Sequence, residues 1–337
     1  MTYIHHADGA STDLDESAAK NGTETPTTAE TDETSPESSS QSFSFLKDYR
    51  QMMAAAAQVR PPLLGDLQRG QVSIFAGPPG VGKTMYTVQM LCALAAGVPF
   101  AGHTPAGPAK VALLSIEDGD TELGQRMAAC TKLMGLDEAL LQENFRVADF
   151  STPFLLFRRA PEGVTLTAKG RAFADELEAF GVSCLVLDPI SALHDLPEND
   201  NGLMTLFMAA QQQLARELDC AIINLHHFGK ENADRPSLNS CRGAGAIGSV
   251  ARNVQLFVDL AADEIAVLEI PEGEDLNHFR QFPGKLSHAE RAGKIAYFRR
   301  RTVQLDGFTG MALELIAPPA PERLAAQKAA AKPRKAR

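Results

Sequence analysis

The sequence predicts an α/β fold: a mainly parallel central sheet with helices on both faces and an antiparallel C-terminal extension. Three observations carry this reading. Short, uniformly apolar runs such as residues 182–187 and 221–225 alternate with amphipathic stretches of helical period such as 167–180, the pattern of strands buried on both faces. A glycine-rich loop follows one of those runs and opens a helix. After Val250 the alternation stops. Residues 254–260, 265–270, 294–300 and 312–316 read as strands, most of them too close together for helices between them.

The elements follow in order. Residues 1–43 hold nine Asp/Glu against Lys20 within the first forty and almost no aliphatic side chains. Such a segment cannot bury enough apolar surface to offset its ordering entropy, so it is expected to be disordered. Residues 43–59 read as a short helix with Phe45, Leu46, Tyr49, Met52 and Met53 on one side, ended by Pro61 and Pro62. A strand over 72–76 leads into the glycine-rich loop, and a helix over 85–96 stops at Gly97 and Pro99. Then come a strand over 110–116, a helix over 123–134, short edge strands over 145–147 and 154–156, and a helix over 167–180 capped by Thr167. A strand over 182–187, a helix over 203–218 and a strand over 221–225 ending at His226-His227 complete the alternating part. Residues 271–293 are polar and irregular, expected as a long loop with a brief helix. One domain thus spans 44–317, between an acidic tail (1–43) and a basic tail (318–337) that carries six Lys/Arg against Glu322 and is expected to be disordered.

Composition narrows the functional classes. The net charge of −10 argues against a whole-surface duplex-DNA binder but leaves room for a protein that grips one strand with a few loops. The five cysteines (Cys92, Cys130, Cys184, Cys220, Cys241) are odd in number and never spaced as CxxC, so free thiols and a reducing, cytoplasmic setting are expected. No apolar run reaches the ~18 residues of a membrane span, and no signal-peptide pattern opens the chain.

Gly77-Pro78-Pro79-Gly80-Val81-Gly82-Lys83-Thr84 fits G-x-x-x-x-G-K-[ST] at every position. The glycines let the backbone wrap and turn its N–H groups inward as an anion nest, and the following helix, with Met85 in its first turn, adds its positive end. Lys83 would reach the β/γ-phosphates of ATP, and the Thr84 hydroxyl would ligate Mg²⁺. A second metal anchor is expected at the end of a buried neighbouring strand, where Asp188 closes Ser183-Cys-Leu-Val-Leu. A group to deprotonate the attacking water is expected above the same sheet edge. Glu117, ending Val111-Ala-Leu-Leu-Ser-Ile, is the candidate, with Asp118 its rival.

The strand ending in Glu117-Asp118, Leu187-Asp188-Pro-Ile-Ser, Glu198-Asn-Asp-Asn201, Asn224-Leu-His226-His227-Phe-Gly-Lys230 and Arg242-Gly-Ala-Gly-Ala together resemble the RepA-type helicase ATPases of plasmids and phages, within the RecA-like superfamily. The resemblance covers roughly residues 60–316. It implies a homo-hexameric ring with ATP between subunits. In such a ring Gly80, Lys83 and Thr84 hold phosphate and metal, Glu117 activates water and Asp188 holds the metal through water. His226 or His227 would sense the γ-phosphate. The arginine finger supplied by the neighbouring subunit maps best onto Arg242, with Arg252 close behind. Where the family writes Arg-Gly-Ser-Ser, this chain writes Arg-Gly-Ala-Gly. Residues 229–241 have the length of the pore-lining loop and carry Lys230 and Arg235 but no aromatic residue, which favours backbone-phosphate contact over base stacking. The resemblance implies single-stranded DNA as partner and a replication initiator or primase beside it. Two other readings stay open: a RecA-like DNA-dependent ATPase for recombination or regulation without unwinding, and an ATP-switched assembly module that touches no nucleic acid.

Overall fold

The computed structural model describes residues 46–58, 61–148, 154–227, 246–287 and 295–331. The chain divides into two compact units, 1–58 and 59–337. In the first, helix α1 (Tyr49–Ala56) starts at Asp48, whose carboxylate accepts from the Gln51 amide while the Gln51 side chain accepts from the Asp48 amide. This reciprocal cap satisfies two donors the first turn leaves free.

The second unit is built on a nine-stranded sheet. Its parallel part comprises β1 (Val72–Gly77), β2 (Val111–Ser115), β3 (Phe145–Val147), β6 (Cys184–Asp188), β7 (Ala221–His227) and β8 (Asn253–Asp259), in the order β8-β1-β7-β6-β2-β3. β9 (His278–Leu286), β10 (Ala296–Gln304) and β11 (Thr309–Ile316) extend it antiparallel beyond β8. Central strands alternate their side chains between two cores. Phe75, Leu113, Val186, Ile223 and Leu225 face one side, with helices α2 (Lys83–Ala96), α3 (Asp120–Met134) and α4 (Glu138–Asn144). Ile74, Leu114, Leu185, Leu187 and Ile222 face the other, with α5 (Ala168–Phe180) and α6 (Asn201–Glu217). Thr167 caps α5 as expected, its hydroxyl accepting from the Gly170 amide at 2.9 Å. The predicted α/β architecture with its antiparallel extension is the one observed.

Several expectations need correction. The strand placed at 154–156 begins later, as β4 (Phe157–Ala160), and forms a separate hairpin with β5 (Gly163–Leu166). Of the expected strand 265–270, residues 265–268 lie in helix α8 (Ala262–Leu268) and the rest follow its end. Its β-branched residues mimic a strand, but acidic Asp263 and Glu264 occupy a helical first turn, and Glu264 accepts from the Ala261 amide at 2.9 Å. The expected loop over 271–293 contains β9, disguised by Pro283 and Gly284. Both sit where the register with β8 shifts, the place in a sheet that tolerates proline. Immediately before β8 lies a short helix, α7 (Ala246–Val250). Within the expected basic tail, Pro321–Ala331 form helix α9, whose Arg323 and Lys328 pair with Glu269 and Asp263 around α8.

Two contacts fix the far end of the sheet. The Gln89 carboxamide on α2 accepts from the Leu313 amide (2.6 Å) and donates to the Leu313 carbonyl (2.8 Å). At Gly310 a Cβ would lie 2.4 Å from the Gln125 carbonyl and 2.8 Å from Ala129 Cβ, so only glycine lets α3 come this close to β11.

Candidate nucleotide-binding site

The parallel strands end on one edge of the sheet, and the predicted chemistry gathers there. β1 runs directly into the glycine-rich loop, and α2 starts at its end. Gly80 and Gly82 have φ of +75° and +109°, backbone conformations that let the loop wrap on itself. Lys83 is buried, and its Nζ donates to the carbonyls of Gly77 (3.0 Å) and Pro78 (2.9 Å). Burial pulls its ammonium down to about 8, opposed by the charges of Asp188 and Glu117.

Thr84, the next residue, donates its hydroxyl to Asp188 Oδ2 at 2.7 Å. Asp188 ends β6 and is almost wholly buried. Burial raises its carboxyl to about 6, against the Thr84 hydrogen bond that favours the charged form. A hydroxyl and a carboxylate so placed beside a phosphate nest fit Mg²⁺, which takes few protein ligands and keeps waters and phosphate oxygens. Among the described residues no cluster of three or more His, Cys, Asp or Glu could hold a metal by itself.

The two members of each candidate pair stand in different surroundings. Asp118 is held by both terminal guanidinium nitrogens, Nη1 and Nη2, of Arg126 in the second turn of α3. Glu117 has no such clamp among the described residues: its side chain is half exposed, and Oε1 lies 3.5 Å from His227 Nε2. His227 Nδ1 in turn lies 3.3 Å from Lys83 Nζ, so the imidazole stands between the loop lysine and Glu117. His226, on the opposite face of β7, is buried on the side of His194, whose own protonation is disfavoured chiefly by burial. Thus His227, rather than His226, adjoins the site.

Other motif residues turn out to hold the scaffold. Asp200 caps α6, accepting from the amides of Gly202 (2.9 Å) and Leu203 (3.0 Å). Asn224 ties β7 to α6 through a 2.7 Å bond to Gln211. Arg252 immediately precedes β8, whose Asn253 is level with Ser73 at the start of β1, so it lies at the sheet edge away from the loop. Residues 228–245, with Lys230, Arg235 and Arg242, lie outside the described residues. Arg126 escaped sequence reading because only the orientation of α3 brings it to Asp118.

Residues 39–233 match the AAA_25 family, an AAA domain. A DnaB-like replicative helicase, solved for its interactions with primase, aligns with a TM-score of 0.50 at 14% identity, over 74% of this chain and 64% of that one. The RadB recombinase aligns at 0.44 and 17% identity, over 70% and 89% of the two chains. A KaiC-like protein from Pyrococcus horikoshii OT3 aligns at 0.46 and 16% identity, over 75% and 93%. No helix among the described residues is long and apolar enough to cross a membrane. With more than half its length matched and the loop, sheet order and strand-end carboxylate in place, the chain belongs to the AAA domain family and has the fold of the RecA-like P-loop ATPases.

Proposed function

We propose that this chain is a ring-forming, ATP-driven motor on single-stranded DNA, a RepA-type helicase serving replication of a plasmid, phage or other mobile element in the cytoplasm. The observation that carries the ATPase part is the convergence of Lys83, Thr84, Asp188, Glu117 and His227 on one sheet edge. Lys83 and the loop amides bind the phosphates, Thr84 and Asp188 would hold Mg²⁺, and His227 senses the γ-phosphate. Mg²⁺ held there would neutralise charge on the nucleotide phosphates. Glu117 takes the proton of the attacking water, and Arg242 of a neighbouring subunit stabilises the transferring phosphoryl group. The DNA part is supported by the motif resemblance and by the fold shared with the DnaB-like helicase. Residues 229–241 are the candidate DNA-contacting loop, and a primase or initiator is the candidate replication partner.

The deciding measurement is the ATPase rate with and without single-stranded DNA, followed by strand displacement. Stimulation with unwinding supports the helicase. Stimulation without unwinding supports the recombination or regulatory ATPase. Absence of any stimulation removes DNA from the reading.

Glu117→Gln is expected to bind Mg-ATP normally and hydrolyse it at least ~100-fold more slowly, the scale of a lost general base. Single-turnover kinetics check this. If Asp118→Asn is the slow variant instead, the base is misassigned.

A pH dependence follows from Asp188. Its carboxyl titrates near 6 when folded and near 3.8 otherwise, so the proton is held more tightly in the free folded protein. That protonation stabilises the fold fully below the lower value, and the benefit is lost as pH rises through about 6. Metal binding needs the ionised form, so Mg²⁺-dependent ATP affinity is expected to fall as pH drops from 7 to 5. Titration of a fluorescent ATP analogue across that range, with and without Mg²⁺, checks it. A pH-independent Mg²⁺ effect would exclude Asp188 as the titrating group.

A further inference from the structure

The phosphate loop is braced from behind by the antiparallel extension. Arg300, on β10, donates from Nη2 to the Gly80 carbonyl at 2.8 Å and from Nη1 to the Leu276 carbonyl. Its guanidinium lies 5.5 Å from the centre of the Phe279 ring. Phe279 is wholly buried and stacks on Phe298 with ring centres 5.3 Å apart. A Cβ on Gly82 would come 3.0 Å from Phe279 Cε1, so the same ring also supports the far end of the loop.

The planarity of the peptide gives the contact its consequence. The Gly80 carbonyl and the Val81 N–H belong to one trans peptide and point opposite ways. Holding the oxygen outward on Arg300 therefore turns the N–H the other way, where it donates to the Pro78 carbonyl at 3.5 Å, the carbonyl that also accepts from Lys83 Nζ. We propose that Arg300 is a positioning residue that presets the phosphate loop in its anion-binding shape through the Gly80–Val81 peptide. The neighbours on the strand do other work: Arg299 pairs with Glu274 and Arg301 with Glu314. Nothing in the run Arg299-Arg300-Arg301 distinguishes the middle residue until the strand register is known.

This inference rests on the reading of the loop as the ATP site. A preset loop favours bound substrate and transition state alike, so its loss raises KM and leaves kcat nearly unchanged. Arg300→Ala is expected to raise KM and the Kd of a fluorescent ATP analogue by ~10-fold or more, the scale of losing a charged hydrogen bond, with kcat within ~3-fold. Arg300→Lys, which can donate to one carbonyl but does not reproduce the planar bridge, is expected to fall between. It keeps the charge and most of the packing, so it carries the test if the alanine variant does not fold. Arg299→Ala and Arg301→Ala are expected to keep the wild-type KM. An unchanged KM in both Arg300 variants, or equal rises in all three positions, overturns the proposal. Wild-type protein that binds no ATP, or binding unaffected in Lys83→Ala, overturns the nucleotide-site reading and this inference with it. Normal wild-type binding with unaltered Arg300 variants overturns the inference alone.

Discussion

Lys83→Ala protein is expected to fold and to lose ATP turnover by ~10³-fold or more, the upper end for deleting one charge-stabilising donor at a reacting phosphate. The ammonium is buried among the Gly77 and Pro78 carbonyls and His227, where no other side-chain cation is aimed into the loop among the described residues. Stability moves the other way. Burial lowers the Lys83 pKa from 10.5 to about 8, so the charged lysine opposes folding below about 8, and this opposition vanishes above 10.5. At neutral pH that is on the order of 3 kcal/mol, which offsets the hydrogen bonds lost with the side chain. The unliganded melting temperature is therefore expected not to fall, while the rise that Mg-ATP gives wild-type protein disappears. Turnover near wild type at saturating ATP would sink the site. Mixing Lys83→Ala with Arg242→Ala then tests the ring: an intact loop can face an intact arginine in mixed assemblies, and partial activity is expected. If subunit exchange is demonstrated and no activity returns, the trans-acting Arg242 is removed from the reading.

Glu264→Ala is expected to be the most destabilising single change outside the two main cores. Its carboxylate is buried and accepts from the Ala261 amide, from Arg280 Nη1 at 3.0 Å and from the Tyr297 hydroxyl at 2.8 Å. Burial and the Glu264 hydrogen bond push the Tyr297 phenol up to about 12, so it stays a donor. Arg280 is mostly buried against Phe282, and its Nε has no hydrogen-bond partner among the described residues. Removing the carboxylate strands that guanidinium, a change that costs about 3–5 kcal/mol. By contrast, Arg299–Glu274 and Arg301–Glu314 are solvent-exposed, and such pairs contribute roughly 0–1 kcal/mol. Unfolding in urea compares the three directly. Equal losses at Glu264, Glu274 and Glu314 would show that the buried cluster has no special weight.

What the sequence disclosed depended on how local the signal was. The phosphate loop is a property of consecutive backbone, so glycine spacing announces it. Asp188 and Glu117 were legible because each ends an apolar run, where a carboxylate has no place in the core and must serve an edge. The choice between His226 and His227 depends on the phase of β7 against α2, and neighbouring residues cannot supply that phase. The same holds for Asp118, whose engagement by Arg126 is set by how α3 leaves the strand. β9 was hidden because the residues that let it bulge, Pro283 and Gly284, are those that usually break strands. Helix α8 was misread because Ile265, Val267 and Ile270 have strand-like side chains, whereas position-specific acidity in the first turn settled its conformation.

The contacts at the end of the sheet bear on how copies of this domain could meet. An outermost strand exposes a row of amides and carbonyls that invites strand addition by another chain, the first step of aggregation. At Leu313 both outward groups of β11 are taken by the Gln89 carboxamide, which imitates a strand that is not there. At Gly310, α3 lies directly on the backbone. The opposite border, β3, is only three residues long and offers little to pair with. Neither border is built for lengthening the sheet from one molecule into the next. The helix that opens at the glycine-rich loop is also the one that supplies Gln89, so the residue guarding the border and the residues proposed to grip phosphate share a single rigid rod.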